Sequence, residues 1–137
     1  MASPAKPLPA INDDNRRYFE YAHIHELRMQ KCADCGHIRY PPGFICPRCH
    51  SLNAEWTKMS GRGAVYSFAV YRTCFHPAFE NEIPYAVAII QLAEGPRLES
   101  NITGCKMEDI RIDMPVRVYF EDVNETISLP KFKPEEI

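Results

Sequence analysis

A chain of 137 residues is long enough for one full domain, or for a small module joined to a compact one. With 45% hydrophobic residues it can build a core, and its formal net charge of -2 argues against a general nucleic-acid binder, which would carry a basic excess. No apolar run approaches the roughly 20 residues of a membrane span, and the Pro-rich opening MASPAKPLPA lacks the long apolar segment of a secretory signal. The expected location is therefore cytoplasmic, where thiols stay reduced and structural disulfides are rare.

Residues 1–25 read as a loosely attached lead and a short helix. Asn12, Asp13 and Asp14 offer N-cap chemistry and first-turn acidity, and Tyr18, Phe19, Ala22 and Tyr21 would form one face of a helix ending near His23. That aromatic face needs a cover, either the rest of this chain or another one. Leu27 and Met29 alternate with polar neighbours, so 26–31 reads as a strand entering the next unit.

Residues 26–58 read as a metal ribbon. Cys32 and Cys35 form one C-x2-C, and Cys46 and Cys49 form a second. Two such turns face to face present four thiolates tetrahedrally, at about 2.3 Å from a zinc ion. Gly36 supplies the left-handed backbone of a tight knuckle, Pro47 pre-sets part of the second, and 38–40 forms a short strand ended by Pro41-Pro42-Gly43. Rubredoxin-type iron uses the same geometry and stays open on spacing alone. A disulfide framework needs an oxidising compartment, and a redox CxxC needs no second pair nearby. Four thiolates leave no position for water or substrate, so zinc here would be structural. His37 and His50 flank the knuckles as ordinary polar residues of the ribbon.

Residues 59–137 read as strands. The stretches 63–71, 85–92, 97–102, 116–120 and 126–129 carry aromatic and β-branched residues or strict alternation, with a helix-like 103–112 (Met107, Ile110, Met114) between the third and fourth. Five strands in that order suit a five-stranded OB-type barrel, which removes exposed edges; an open sheet is the alternative. The predicted class is mainly β: an N-terminal helix, a rubredoxin-like zinc ribbon, then an OB-fold.

The chain lacks HExxH, GxSxG and P-loop motifs. Cys74 beside His76 is a weak nucleophile–base pair, since a lone cysteine is more often a small buried residue, and Glu80 and Glu82 read as solvated. The 72–83 connection is long and carries Phe75, His76 and Phe79, which either cap the barrel end or meet a partner or ligand; with Arg72 it is the expected contact loop. Arg39, Phe44, Arg48 and Arg62 mark a second surface, whose guanidinium groups suit phosphate contacts and equally read as ordinary solvated charges.

The motifs CADCGHIRYPPGFICPRC, EW, GRGAVYSFAVY, IPYAVAIIQLAEGPRL, MPVRVYF and LPKF together resemble the domain-of-unknown-function-35 (DUF35) family of zinc-ribbon OB-fold proteins associated with acyl-CoA enzymes. The resemblance spans the N-terminal helix to Phe132. One departure is Asp113, where the family often has glycine. The resemblance implies a non-catalytic accessory subunit that binds a thiolase-like or hydratase-like partner. That partner would carry out thiolytic, aldol-type or hydration chemistry on an acyl-CoA shared between the chains, including in steroid side-chain or fatty acyl degradation. It carries over Cys32, Cys35, Cys46 and Cys49 as zinc ligands and no catalytic residue. The alternative, an OB-fold nucleic-acid-binding protein, has the near-neutral charge against it.

Overall fold

The structure, a computed structural model, describes residues 8–73, 77–79 and 81–135. Its first element is α1, Arg16–His23. The turn before it is tied by Asn12, whose Oδ1 accepts the N–H groups of Asp14 and Asn15, each at 2.9 Å. The acids expected in the first helical turn lie ahead of it, with Asp13 paired to Arg16 at 2.9 Å. The predicted aromatic face is covered from within. Tyr18 and Ala22 are buried, Tyr18 packs 5.9 Å from Tyr40, and Tyr21 lies 6.0 Å from Trp56 with the Arg28 guanidinium over its ring. The helix touches β-strands of both the ribbon and the barrel, so it wedges the two together.

The ribbon sheet comprises β1 Arg28–Cys32, β2 Ile38–Arg39 and β3 Ala54–Lys58, in the order β2-β1-β3 and antiparallel throughout. Gln30 sits opposite Arg39 on one side and Trp56 on the other. Sequence reading left β3 unassigned, because AEWTK is short and its charged residues blur the alternation. Leu27 and Met29 turn inward and share one core cluster with barrel residues, so ribbon and barrel bury a common apolar surface.

Five strands close the barrel: β4 Arg62–Tyr71, β5 Tyr85–Leu92, β6 Arg97–Ile102, β7 Pro115–Asp122 and β8 Ser128–Pro134, in the order β4-β5-β6-β8-β7. Closure rests on the antiparallel β4–β7 pair, with Gly63 opposite Val116, and on a parallel contact of β6 with β8 at Ile102 and Phe132. This is the closed OB-type arrangement rather than an open sheet. Inward residues such as Val65, Ile90, Leu98, Val116 and Phe132 are fully buried, as alternation requires.

Two expectations need correction. The 103–112 stretch is not a helix but a loop with one 3-10 turn, Met107–Asp109. Ile110 and Met114 are still buried, Ile110 from extended backbone. The last strand does not stop at Pro130 but continues to Pro134, alongside β7. Proline is tolerated where no ladder donor is required, and the β6–β8 seam is paired at a single position. Asp113 has φ +67, a left-handed backbone that glycine adopts without strain. Gly61, at the ribbon–barrel junction, has φ +81, and any Cβ there would collide with Val118.

Candidate metal centre

Each knuckle is built from local hydrogen bonds that turn two cysteines inward. In the first, the Cys32 N–H donates to the His37 carbonyl (2.8 Å), the Gly36 N–H to the Cys32 carbonyl (3.0 Å) and the Cys35 N–H to Cys32 Sγ (3.4 Å). The second repeats the pattern: Cys46 N–H to Ser51 (2.9 Å), His50 N–H to the Cys46 carbonyl (2.9 Å) and Arg48 N–H to Cys46 Sγ (3.4 Å). The left-handed residue of the first is Gly36, φ +80, as expected; in the second it is His50, φ +66. The side chain of Asp34 accepts from Ser51 and so laces one knuckle to the other, while Ser51 Oγ also accepts the Asn53 N–H at 3.0 Å.

The knuckles bring the four sulfurs within 4.8 Å of one another. Cys32 and Cys49 Sγ are 3.5 Å apart, Cys35 and Cys46 Sγ 3.6 Å. A tetrahedron with metal–sulfur bonds of about 2.3 Å has edges of about 3.8 Å, close to these two separations, so the set suits a tetrathiolate ion. Among the described residues this is the group with the donors and spacing of a metal site. Cys32 and Cys46 are buried, Cys35 and Cys49 exposed.

The electrostatics of the cage point the same way. The Cys35 N–H, outweighing burial, pulls the Cys32 thiol down to about 6, and the Cys49 N–H likewise lowers Cys46. At Cys49 the Ser51 N–H pulls downward, yet burial and the three neighbouring sulfurs together push it up to about 12. Four thiols this close cannot all ionise without a cation between them.

The other predicted residues do not assemble into one site. Arg39 is a correction: it is 5% exposed rather than offered to a ligand. Its guanidinium donates to the Gly43 carbonyl at 2.8 Å and to Gln30 at 3.1 Å, bracing the loop that leads into the second knuckle. Only the β1–β2 register, which sets Gln30 beside Arg39, reveals that role. Phe44 is 70% exposed and, with Ile45 and Leu52, makes an apolar shoulder next to the second knuckle, where Arg48 is also exposed. Arg62 pairs with Glu135 at 3.3 Å at one end of β4, and Arg72 is exposed just beyond the other. A ten-residue strand, at about 3.3 Å per residue, sets these two residues at opposite ends of β4 rather than side by side. Phe75 and His76 lie outside the described residues, as do Cys74 and Glu80; Phe79 ends a 3-10 turn, Pro77–Phe79. No helix among the described residues is long and apolar enough to cross a membrane.

A four-cysteine ribbon laid against a closed five-stranded barrel defines a two-part, metal-ribbon OB-fold class. Residues 19–55 match the family model described as the ChsH2 rubredoxin-like zinc ribbon domain, and residues 56–121 that of the ChsH2 C-terminal OB-fold domain. A DUF35 domain-containing scaffold protein of Methanothermobacter thermautotrophicus is 36% identical, over 81% of this chain and 88% of that one. A probable enoyl-CoA hydratase alpha subunit of Thermomonospora curvata is 42% identical over 94% of this chain, which spans only 40% of that relative's length. A chain of the solved Ltp2-ChsH2(DUF35) aldolase superposes with a TM-score of 0.85 at 42% identity, covering 93% of this chain and 98% of that one. The protein is a member of the DUF35 family, and its ribbon is a four-cysteine metal-binding module.

Proposed function

We propose that this chain is a non-catalytic accessory subunit of a cytoplasmic acyl-CoA-processing complex, bound to a thiolase-like or hydratase-like enzyme that performs the chemistry. The match to nearly the whole of a chain from an aldolase complex carries the reading. The hydratase alpha subunit and the scaffold protein point in the same direction. Zinc is the proposed metal, held by Cys32, Cys35, Cys46 and Cys49. The sulfur spacing suits it, and four thiolates close its coordination shell, so its contribution is to hold the ribbon in shape. Phe44 and Arg48 beside the second knuckle, and Arg72 with the Phe75, His76 and Phe79 loop, are the proposed contact surfaces. An exposed aromatic and a guanidinium group are the residue types that anchor interfaces.

Affinity capture of the tagged chain from its native source, followed by mass spectrometry, tests the proposal. A thiolase-fold or hydratase-fold chain recovered in stoichiometric amount is the expected result. Recovery of the chain by itself, with acyl-CoA turnover in that fraction, would overturn it.

A further inference from the structure

Strand register gathers a row of cations on the outer surface of the barrel, on residues that the metal centre does not use. Arg62 of β4 sits opposite Arg117 of β7, and Arg117 sits opposite Lys133 of β8. Directly opposed residues point to the same face, and neighbouring strands lie about 4.8 Å apart, so the row spans about 10 Å. All three residues are exposed. Beside them opens a hollow of about 300 Å³, walled by Gly104, Arg117, Lys133, Pro134 and Glu135.

Like charges set directly opposite one another repel, so the row costs the isolated chain stability that an anion would restore. The chain neutralises only its margins. Glu135 pairs with Arg62 at 3.3 Å, and Glu121 is ion-paired with Lys131, two residues before Lys133. Among the described residues no carboxylate pairs with Arg117 or Lys133; the Lys133 ammonium lies 5.8 Å from the centre of the Tyr119 ring. Glu135 shows, at one end of the row, the kind of group that the rest accepts. The spacing narrows the choice further. Acids at i and i+4 of a helix stand about 5–6 Å apart, close to the strand separation, whereas acids on one face of an extended strand recur about every 6.7 Å. The formal net charge of -2 argues against a nucleic-acid backbone as the occupant. We propose that this row docks an acidic helix face of a partner polypeptide; the choice of a protein partner rests on the accessory-subunit reading above.

The test uses the full-length, metal-loaded chain and a dye-labelled helical peptide carrying glutamates at i, i+4 and i+8, with a twin carrying glutamines. Fluorescence anisotropy should show saturable binding of the glutamate peptide that weakens as salt is added, and none of the twin. Arg117→Glu combined with Lys133→Glu should weaken binding at least about tenfold and remove most of the salt dependence. Should that variant fail to fold, Arg117→Gln with Lys133→Gln serves, read by the same salt series. Equal binding of both peptides, or undiminished binding by the folded variant, would overturn the proposal. So would tighter binding of oligothymidylate than of the glutamate peptide, which would make the row a nucleic-acid surface. The charge reversal, placed in the tagged chain used for capture, separates this proposal from the reading it rests on. An enzyme recovered equally by both forms would sink the row and leave the accessory role standing. Peptide binding lost in the variant, with no enzyme recovered by either form, would uphold the row as a carboxylate-binding surface and sink the accessory role.

Discussion

Phe132→Ala removes the largest fully buried side chain of the barrel. Phe132 sits where three strands converge, opposite Val118 of β7 and Ile102 of β6, and its carbonyl accepts the Thr103 N–H at 2.9 Å. The backbone bonds survive the substitution; the ring contacts do not. With no exposed surface to begin with, the site cannot recover the loss by rehydration, and the closed strands around it limit collapse. The expected cost is therefore toward the upper end of the usual range for a phenylalanine truncation, about 3–5 kcal/mol. Against a total stability of about 5–15 kcal/mol, that is a large share. At about 2–4 °C per kcal/mol for a chain near this size, melting should fall by roughly 6–20 °C. Urea unfolding followed by far-UV circular dichroism gives the free energy directly. Because α1 and Met29 join ribbon to barrel, the fluorescence of Trp56, the single tryptophan, should report the same transition. A loss under about 1 kcal/mol would refute the packing account of the seam.

Three further outcomes follow from other parts of the molecule. Gly61→Ala sets a Cβ against Val118 at φ +81, so it should destabilise by at least about 1–2 kcal/mol from backbone handedness alone; an unchanged urea midpoint would contradict this. Cys35→Ser leaves three thiolates, and cobalt substitution should show a weakened sulfur-to-metal charge-transfer band with metal affinity down at least about tenfold; full-affinity binding would remove Cys35 from the ligand set. The exposed Asp122 accepts from Ser128 at 2.5 Å and pairs with His25 at 2.8 Å, and these hold its carboxyl below its ordinary 3.8. The folded state thus keeps the charge longer than the unfolded one. The resulting stabilisation is present above that ordinary value and fades as pH falls through the lower folded one. Asp122→Asn should flatten the stability profile below about pH 4, relative to the wild-type chain, and parallel profiles would refute the linkage.

The metal site was legible because its chemistry is written locally. Two C-x2-C turns and Gly36 specify thiol positions through bonds that span only a few residues. The barrel was legible for a similar reason, since the nearly continuous apolar run 85–92 marks a central strand and the alternation in 97–102 declares an inner face before any pairing is known. What failed to show depends on partners distant in sequence. Arg39 looks like a surface cation until the β1–β2 register puts Gln30 beside it. β8 looks finished at Pro130 until the sparse β6–β8 seam removes the demand for that donor. Met107, Ile110 and Met114 have helical spacing, yet Gly104 at φ +78 and Asp113 at φ +67 bracket a loop that brings Ile110 to the core from extended backbone. Apolar spacing reports which residues are buried more faithfully than it reports the backbone that carries them.

The central claim is that chemistry belongs to a companion enzyme and that this chain enables it. The most direct measurement is acyl-CoA turnover by the captured partner as metal-loaded chain is titrated in. Activity that is negligible for either chain alone and saturates at a fixed ratio of the two is the predicted result. Turnover by this chain without the partner, or a partner whose rate ignores the addition, would contradict the account.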